Sequence, residues 1–269
     1  MLLGKPFLKW PGGKRWLCAA ISDLVADLRY DRYFEPFLGG GAVYFAIQPE
    51  KSVLSDINPD LINVYQQVRR APAGLIEELK KIPVTSEVYN ALRAEKPKTK
   101  ARRATRFLFL NRTAFAGMYR LNQKGEFNVP FGGGQRTPDL LWESNLLTNA
   151  STALRSAEVK CSDFETALKG ARSGDLVFCD PTYTVTHNNN GFVRYNESNF
   201  KWTDQLRLAK VCRKLRTKGA TVIVSNAFHR EVRALYKEAT VIPVARASTL
   251  CPSPDKRGMT QEYLFVLYP

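Results

Sequence analysis

An acidic residue, a proline and an aromatic ring follow one apolar segment of the chain. Asp180, Pro181 and Tyr183 come after residues 175–179, whose apolar pattern predicts a buried strand. In open α/β folds, ligands bind beyond the carboxyl ends of the strands. The Asp180 carboxylate and the Pro181 carbonyl can accept hydrogen bonds from both N–H groups of an amine, and the Tyr183 ring can stack on a flat ring. The motif fits a site for the exocyclic amine of a base, and an N-cap aspartate beside a structural tyrosine is the alternative.

A glycine-rich turn is the second candidate site. Gly39 begins a run of glycines between a predicted strand (residues 32–37) and a predicted helix (residues 42–47). Glycines at such a turn let the backbone pass close to a dinucleotide or a nucleoside. Asp56 closes the next predicted strand (residues 51–54), where an acid can accept the hydroxyls of a ribose. The turn has neither the usual GxGxxG register nor a Walker lysine, so a tight turn with a helix cap is the alternative.

A polar, glycine-rich stretch, residues 111–137, mixes arginines, aromatic rings and glycines. Arginines can read guanine edges, rings can wedge between bases, and glycines allow close approach, so the stretch is typical of a base-reading loop. A basic run, residues 96–106, precedes it and is interpreted either as a solvated face or as a contact to phosphates. Helical patterns fill the region before the loop, at residues 61–68, 75–80, 87–94 and 103–110.

The charge of the chain favours a polyanionic partner. Its 269 residues include 40 Lys and Arg against 25 Asp and Glu, a formal net charge of +15. Such an excess indicates DNA, RNA or an anionic membrane, with a merely soluble basic enzyme as the alternative. No run of roughly 18 apolar residues predicts a membrane span. The two histidines and five widely spaced cysteines argue against a metal site and fit a reducing cytosol.

The order of the predicted elements indicates a doubly wound α/β fold. A strand, a glycine turn, a helix, a second strand and an acid open such a fold, and the alternation resumes after residue 140. The helical region between them is interpreted as an insert, so residues 1–60 and 141–269 are predicted to form one domain and residues 61–140 another. The later elements are a helix at 206–215 and strands at 221–225, 241–245 and 263–268, the last two as an antiparallel edge pair.

Motifs in a fixed order give the chain a family resemblance. The segments FLKWPGGK, EPFLGGGAVYF, SDINPDLINVY, NRTAFAGMYRLNQKGEFNVPFG and DPTY resemble the Dam-type DNA adenine-N6 methyltransferases of the D12 class, with alpha motif order. The resemblance spans the chain from Phe7 to Leu264. It implies a Rossmann-like methyltransferase sheet that binds S-adenosylmethionine, formed by residues 1–60 and 141–269. It also implies that the mostly helical insert, residues 61–140, recognises the target.

The resemblance implies methyl transfer from S-adenosylmethionine to N6 of a flipped-out adenine in duplex DNA, within GATC. The residues that match the catalytic motif of the family are Asp180, Pro181 and Tyr183. The residues that match cofactor contacts are Trp10, Lys14, Glu35, Phe37, Gly39, Asp56, Ile57, Asp163, Phe164 and Asp180. The residues that match DNA contacts are Lys9, Asn111, Arg112, Phe115, Met118, Arg120, Asn128 and Pro130. Among these, Arg120 corresponds to the arginine that reads guanine, and Phe115 to the ring inserted where the base leaves.

The chain departs from the family pattern at Thr182, which replaces the second proline of the catalytic motif. Both acceptors survive, so we expect an effect on the rigidity of the turn and on rate rather than on reaction type. Ala116 and Met118 also differ from common family choices, which can change sequence preference. The resemblance further implies a metal-free monomer in the cytoplasm of a bacterial cell, or encoded by a phage or mobile element.

Other functions remain open at this point. One is a catalytically impaired module that binds cofactor and DNA, for which Thr182 is the support. Another is an N4-cytosine or RNA base-amine methyltransferase, although the cytosine enzymes usually carry Ser-Pro-Pro-Tyr and Asp180 favours adenine. A nicotinamide-dependent dehydrogenase shares the glycine turn and the acid after the second strand. It gives no role to the charge excess or to residues 111–132.

Overall fold

A computed structural model of the chain describes residues 5–134, 137–142, 145–184, 200–247 and 259–269. The strands are β1 (Tyr33–Glu35), β2 (Ser52–Asp56), β3 (Ala157–Cys161), β4 (Leu176–Cys179), β5 (Thr221–Ala227), β6 (Thr240–Ala247) and β7 (Met259–Leu267). The helices are α1 (Cys18–Val25), α2 (Ala42–Ile47), α3 (Pro59–Arg70), α4 (Pro72–Lys80), α5 (Ser86–Ala94), α6 (Lys100–Thr113), α7 (Pro138–Leu141), α8 (Leu146–Ala153), α9 (Phe164–Ala167), α10 (Trp202–Thr217) and α11 (Arg230–Leu235). Single 3-10 turns lie at Arg15–Leu17, Phe115–Gly117, Leu154–Ser156 and Leu168–Gly170.

The strands form a mixed sheet in the order β3-β2-β1-β4-β5-β7-β6. β1 runs parallel to β2 and to β4, and β4 runs parallel to β5. β7 is antiparallel to both β5 and β6, which confirms the predicted antiparallel pair at the edge of the sheet. The chain leaves β1 on one side towards β2 and returns on the other side at β4, so the topological switch point lies between β1 and β4.

The chain divides into two compact units. The first comprises Met1–Asp27, Leu38–Glu50 and Asp56–Cys161, and the second comprises Leu28–Phe37, Lys51–Ser55 and Ser162–Pro269. The predicted insert, residues 61–140, belongs to the first unit, and its limits as a target-recognition domain stay a prediction.

The second unit is built around two buried parallel strands. Every residue of β4 is buried, as is β5 from Val222 onward, because both strands are covered on two faces. Leu208, Cys212 and Leu215 of α10 join their core together with Phe265 of β7. Near the end of β5, the buried Asn226 side chain donates from Nδ2 to Gln205 Oε1 at 3.0 Å and accepts the Ala227 N–H at 2.8 Å.

Packed helices dominate the first unit. Asn58 caps α3 by accepting hydrogen bonds from the backbone N–H groups of Asp60 and Leu61, and Pro59 occupies the first turn, where a missing N–H costs nothing. α3 packs against α6, and the Asn63 side chain donates to the Lys100 carbonyl at 2.9 Å where α6 begins. The cap explains why α3 begins two residues before the apolar pattern that predicted it.

The sequence analysis did not predict β3 or α8. β3 has only five residues and only Ala157 and Val159 are buried, so its apolar pattern is short. α8 reads LLTNASTA, in which Thr, Asn and Ser are poor helix formers, and packing against α3 and α4 stabilises it instead.

None of the helices that the structure describes is both long and apolar enough to cross a membrane. Within the same described ranges, no cluster of His, Cys, Asp and Glu could hold a metal ion.

Candidate active site

The carboxyl end of β4 carries the first group of candidate residues. Asp180 follows the strand directly and is half-buried. β4 and β5 pair in parallel with Cys179 beside Val224, so the next residues along each strand, Asp180 and Ser225, lie side by side. The Ser225 hydroxyl donates a 2.5 Å hydrogen bond to Asp180 Oδ1. The catalytic carboxylate predicted from sequence is therefore held in a fixed orientation by the neighbouring strand.

Tyr183 is anchored to β7, which pairs with β5 on the side away from β4. Its hydroxyl donates a hydrogen bond to Oε2 of Glu262, a residue of β7 whose exposed fraction is only 1%. Tyr183 itself is half-buried. Its ring is thus held both by its backbone after β4 and by the phenol oxygen at β7.

Glu35 ends β1, on the other side of the switch point from β4. Its carboxylate is buried and accepts a 2.7 Å hydrogen bond from the Tyr33 hydroxyl. Burial, followed by the charge of Glu35 and this hydrogen bond, raises the pKa of Tyr33 well above its usual value, so the phenol stays a donor. Because β1 and β4 are adjacent and parallel, Glu35 and Asp180 lie at the same edge of the sheet, where α/β folds bind ligands.

A cluster of aromatic rings follows β1. Phe37 stacks on Phe164 with ring centroids 5.4 Å apart and meets the edge of Phe200 at 5.6 Å. The Arg207 guanidinium lies 4.4 Å from the Phe164 ring centroid and donates to Asp163 Oδ2 at 2.6 Å. The other Asp163 oxygen caps α9 by accepting from the Glu165 N–H at 2.9 Å. The Asp163 carboxylate thus already has two structural partners.

In the first unit, Asp56 faces the glycine turn. Its two oxygens accept the backbone N–H groups of Gly39 at 3.0 Å and Asn58 at 2.9 Å. Burial raises the pKa of Asp56, and these backbone donors oppose that shift. An ionised carboxylate has about four acceptor sites, so Asp56 retains the capacity to accept ribose hydroxyls. Ile57, next in sequence, exposes 65% of its surface and is the apolar group beside this acid.

Trp10 covers the glycine turn. A Cβ placed on Gly39 would lie 2.9 Å from Cδ1 and Nε1 of the indole, and one on Gly40 would lie 2.9 Å from the Trp10 Cβ. The Tyr65 hydroxyl donates to the Gly39 carbonyl at 3.0 Å, and a Cβ on Gly41 would lie 2.8 Å from that hydroxyl. The glycines are therefore required by the packing of Trp10 and Tyr65, a reason that the sequence analysis did not anticipate.

The same indole reaches the predicted base-reading loop. Trp10 stacks on Tyr119 with centroids 5.1 Å apart, and Tyr119 stacks on Phe107 of α6 at 5.0 Å. Lys14, which also belongs to this N-terminal motif, is buried with 6% exposure. The first unit thus links the glycine turn and the loop through one stack of rings.

Asn111 fixes the backbone of Lys9. It is fully buried, its Oδ1 accepts the Lys9 N–H at 2.9 Å, and its Nδ2 donates to the Lys9 carbonyl at 2.6 Å. The Lys9 side chain lies against Gly117, where an added Cβ would be 2.3 Å from Lys9 Cδ. Asn111, predicted to contact DNA, holds the Lys9 backbone in this structure, and its amide is not accessible to DNA there because the residue is fully buried.

The loop presents Phe115 and Arg120 to solvent. Phe115 is 54% exposed on a tight turn in which Ala116 has a φ of 52°, and its N–H donates to the Pro130 carbonyl at 2.9 Å. The exposed Arg120 donates from Nε to Asn128 Oδ1 at 2.8 Å and from Nη2 to the Asn128 carbonyl at 3.3 Å. The loop therefore fixes the backbone of Phe115 and the direction of the Arg120 guanidinium.

The remaining predicted DNA contacts differ in accessibility. Pro130 is exposed, and Met118 and Asn128 are half-buried. Arg112 is half-buried and donates to the Leu141 carbonyl at 3.2 Å, a bond internal to the unit.

The preceding basic run is divided in the same way. Arg102 makes a two-point ion pair with Glu95, and Arg106 donates to the carbonyls of Leu92 and Arg93. Lys98, Lys100 and Arg103 are exposed. Some cations of the run therefore bind groups within the first unit, and others face solvent.

Comparison with known proteins identifies the family. A model of the D12 class N6 adenine-specific DNA methyltransferases matches residues 10–250. The chain is 34% identical over 274 residues to the type II methyltransferase M1.LlaDCHI of Lactococcus lactis subsp. cremoris, covering 98% of this chain and 95% of that protein. It is 32% identical over 272 residues to a DNA adenine methylase of Vibrio cholerae serotype O1, covering 98% and 96%. The chain belongs to the D12 class of N6 adenine-specific DNA methyltransferases.

The family membership confirms the resemblance and the Rossmann-like methyltransferase fold. The roles assigned to single residues of this methyltransferase stay predictions. Ser225, Glu262 and Tyr119 were not predicted as site residues, although each contacts one that was. Ser225 had a signal in the sequence, because it ends a predicted strand of the sheet that carries Asp180. Glu262 had one too, as a carboxylate that immediately precedes the apolar run YLFVL.

Proposed function

We propose that the enzyme transfers a methyl group from S-adenosylmethionine to N6 of a flipped-out adenine in duplex DNA, within GATC. The observation that carries this proposal is the turn Asp180–Pro181–Thr182–Tyr183, which follows β4 at the switch-point edge with its carboxylate oriented by Ser225. This arrangement suits an amino group on a flat ring, and membership of an adenine-specific family selects adenine.

The proposed role of Asp180 and Pro181 is to activate the adenine amine, which is a poor nucleophile. The adenine amine is delocalised into its ring, so its lone pair is weakly available. The Asp180 carboxylate and the Pro181 carbonyl accept hydrogen bonds from its two N–H groups, which favours a tetrahedral nitrogen with a directed lone pair. Once the nitrogen is methylated it carries a positive charge, and one of its protons leaves through the Asp180 carboxylate. Fixed orientation of these acceptors lowers the barrier because they need not reorganise.

Tyr183 compensates part of the cost of flipping. Removing a base from the duplex costs about a few kcal/mol. Stacking the base on an aromatic ring returns roughly 1–3 kcal/mol. The Tyr183 ring suits this role because the hydrogen bond from its hydroxyl to Glu262 restrains the orientation of the ring.

The donor chemistry of the predicted cofactor residues fits S-adenosylmethionine, which supplies an electrophilic methyl group when bound. The buried Glu35 carboxylate suits an ammonium group, Asp56 suits ribose hydroxyls, and the exposed Ile57 suits a purine face. Asp163 belongs to the proposed set as well, since a carboxylate with two donors, here the Glu165 N–H and Arg207, retains acceptor capacity. The proposed set also includes Trp10, Lys14, Phe37, Gly39, Phe164 and Asp180.

For the target, Arg120 is proposed to read a guanine edge and Phe115 to fill the space left by the flipped base. Lys9, Met118, Asn128 and Pro130 flank these two as further contacts, while Asn111 and Arg112 position the loop and the N-terminal segment. The net charge of +15 supplies the phosphate attraction that any duplex contact requires. A DNA substrate, together with cysteines that are thiols among the described residues, supports the proposal that the enzyme acts in the reducing cytoplasm of a bacterial or phage-infected cell.

The proposal is tested by methyl transfer from labelled S-adenosylmethionine to two unmethylated duplexes that differ only in the guanine of GATC. We expect label in N6-methyladenine of the GATC duplex alone, and Asp180→Ala should abolish it with DNA affinity retained. Label in N4-methylcytosine, or in an RNA of the same sequence assayed in parallel, would instead support the other base-amine activities. No label in either duplex would mean that the target differs from GATC or that turnover is lost, as in an impaired module with Thr182. A genome-wide methylation map of an expressing cell would separate these two outcomes.

A further inference from the structure

Glu262 is a buried carboxylate in the middle of a sheet. It lies on β7 with an exposed fraction of 1%, opposite Ala227 of β5 and Val244 of β6. Apolar residues follow it along the strand, from Tyr263 to Leu267. A carboxylate at such a position costs free energy of desolvation that only hydrogen bonds can offset. The family resemblance gives Glu262 no role, so this cost requires a local explanation.

The Glu262 carboxylate accepts a hydrogen bond from the Tyr183 hydroxyl. Hydrogen bonds to an ionised acceptor are stronger than neutral ones, so this bond restrains the phenol end of the side chain. The backbone end of Tyr183 follows β4 through Pro181 and Thr182. The ring is therefore fixed at two points.

The paired strands β5 and β7 hold both side chains of the catalytic turn. Ser225, which binds Asp180, lies opposite Leu264, and Ala227 lies opposite Glu262. Residues two apart on a strand, and residues directly opposite on neighbouring strands, point to the same face of the sheet. Ser225 and Glu262 are therefore diagonal neighbours on one face.

We propose that Glu262 is a positioning residue that sets the plane of the Tyr183 ring before the base arrives. This role rests on the proposed adenine methylation. It also explains how the turn works with Thr182 in place of a second proline, because a side-chain anchor supplies the restraint that the missing ring would have given. A ring that is already oriented loses less freedom when the base stacks on it.

The test is a double-mutant cycle on the single-turnover rate of methyl transfer to a GATC duplex. Glu262→Gln keeps the shape but weakens the acceptor, and Tyr183→Phe keeps the ring but removes the donor. We expect each to lower the rate by about tenfold, as for loss of one hydrogen bond to a charged group, with cofactor affinity unchanged. The double variant should be no slower than the slower single variant. If Glu262→Gln lowers the rate of the Tyr183→Phe enzyme by the same factor as it lowers the wild-type rate, the positioning role is overturned.

Two further variants separate positioning from general stability. Thr182→Pro stiffens the turn, so Glu262→Gln should cost less rate in that background than in the wild type. Glu231→Gln changes an exposed glutamate of α11 and is the matched control, expected to keep the wild-type rate and melting temperature. A wild-type enzyme that methylates no duplex would overturn the proposed function. A normal wild-type rate that Glu262→Gln leaves unchanged would overturn the role of Glu262 alone.

Discussion

The indole of Trp10 stacks on the ring of Tyr119, with centroids 5.1 Å apart and ring planes inclined by 24°. The same indole covers Gly39 and Gly40 so closely that neither position could carry a Cβ without a shift. One side chain of the first unit thus contacts both the glycine turn, assigned to the cofactor, and the loop, assigned to DNA. Loss of the stack should therefore disturb the packing of Trp10 on the glycine turn even when no DNA is bound.

Tyr119→Ala should weaken S-adenosylmethionine binding in the absence of DNA. Aromatic pairs contribute about 0.5–1.5 kcal/mol beyond their buried area, so the dissociation constant should rise roughly three- to tenfold. Titration calorimetry of the DNA-free enzyme measures this. Phe115→Ala removes an exposed ring of the same loop that makes no contact with Trp10 in the described stack, and it is the control. Equal cofactor affinity in the Tyr119→Ala enzyme and the wild type would contradict the coupling.

Ser225→Ala should slow methyl transfer without weakening DNA binding. It removes the 2.5 Å donor to Asp180, a charge-assisted bond that contributes about 1.5–3 kcal/mol, so a loss of roughly ten- to hundredfold in single-turnover rate is expected. Ser225→Thr keeps the hydroxyl and should retain more of the rate. If both variants are equally slow, the packing of this buried position rather than the hydrogen bond controls the turn.

The parts of the fold that could be predicted are those that follow from local pattern. The buried run before Asp180 identified β4, and the alternation of elements identified the doubly wound sheet. Strands that depend on tertiary packing, such as β3 with its two buried residues, left too little signal. The limits of the target-recognition insert, residues 61–140, remain a prediction.

The position of Asp180 and Pro181 could be predicted, because the apolar run before them indicates the strand that they follow, and their role in catalysis stays a prediction. The contacts of a site residue could not be predicted where the partner depends on register or on distant chain segments. Asn111 looks like a base-reading amide, yet it binds the backbone of Lys9, which lies 102 residues earlier. Glu262 faces Tyr183 only because β7 pairs antiparallel with β5. The hydrogen-bond partner of such a polar residue cannot be identified from sequence alone.

Tyr89→Phe should destabilise the predicted base-reading loop. The buried Tyr89 hydroxyl donates to the carbonyls of Val129 at 2.8 Å and Pro130 at 3.3 Å, and Pro130 in turn accepts the Phe115 N–H. Loss of this donor should cost about 1 kcal/mol of unfolding free energy. Urea unfolding at pH 8 measures the cost, and Tyr268→Phe, at an exposed tyrosine, is the control.

The contribution of Tyr89 should also depend on pH. Burial raises its pKa from 10.0 to about 12, so the unfolded chain releases this proton at lower pH than the folded one. The stability that Tyr89 contributes is therefore fully present below pH 10 and is lost as the pH rises through its folded pKa. The difference in unfolding free energy between wild type and Tyr89→Phe should shrink as the pH rises above 10. A difference that stays constant would contradict the assignment of the hydroxyl as a buried donor.

Arg120→Ala should relax discrimination at one guanine of the target. The exposed guanidinium is oriented by Asn128, and a two-point contact from arginine to a guanine edge contributes about 1–3 kcal/mol of discrimination. The measurement is the ratio of kcat/KM for GATC and for duplexes altered at each position in turn. Arg103→Ala, at an exposed arginine of α6, is the matched control. If Arg103 contacts a phosphate, its loss should weaken all duplexes alike and reduce the salt dependence of binding by about one unit of slope. A uniform loss for Arg120→Ala would make Arg120 a phosphate contact as well and would move base reading to other residues of the loop.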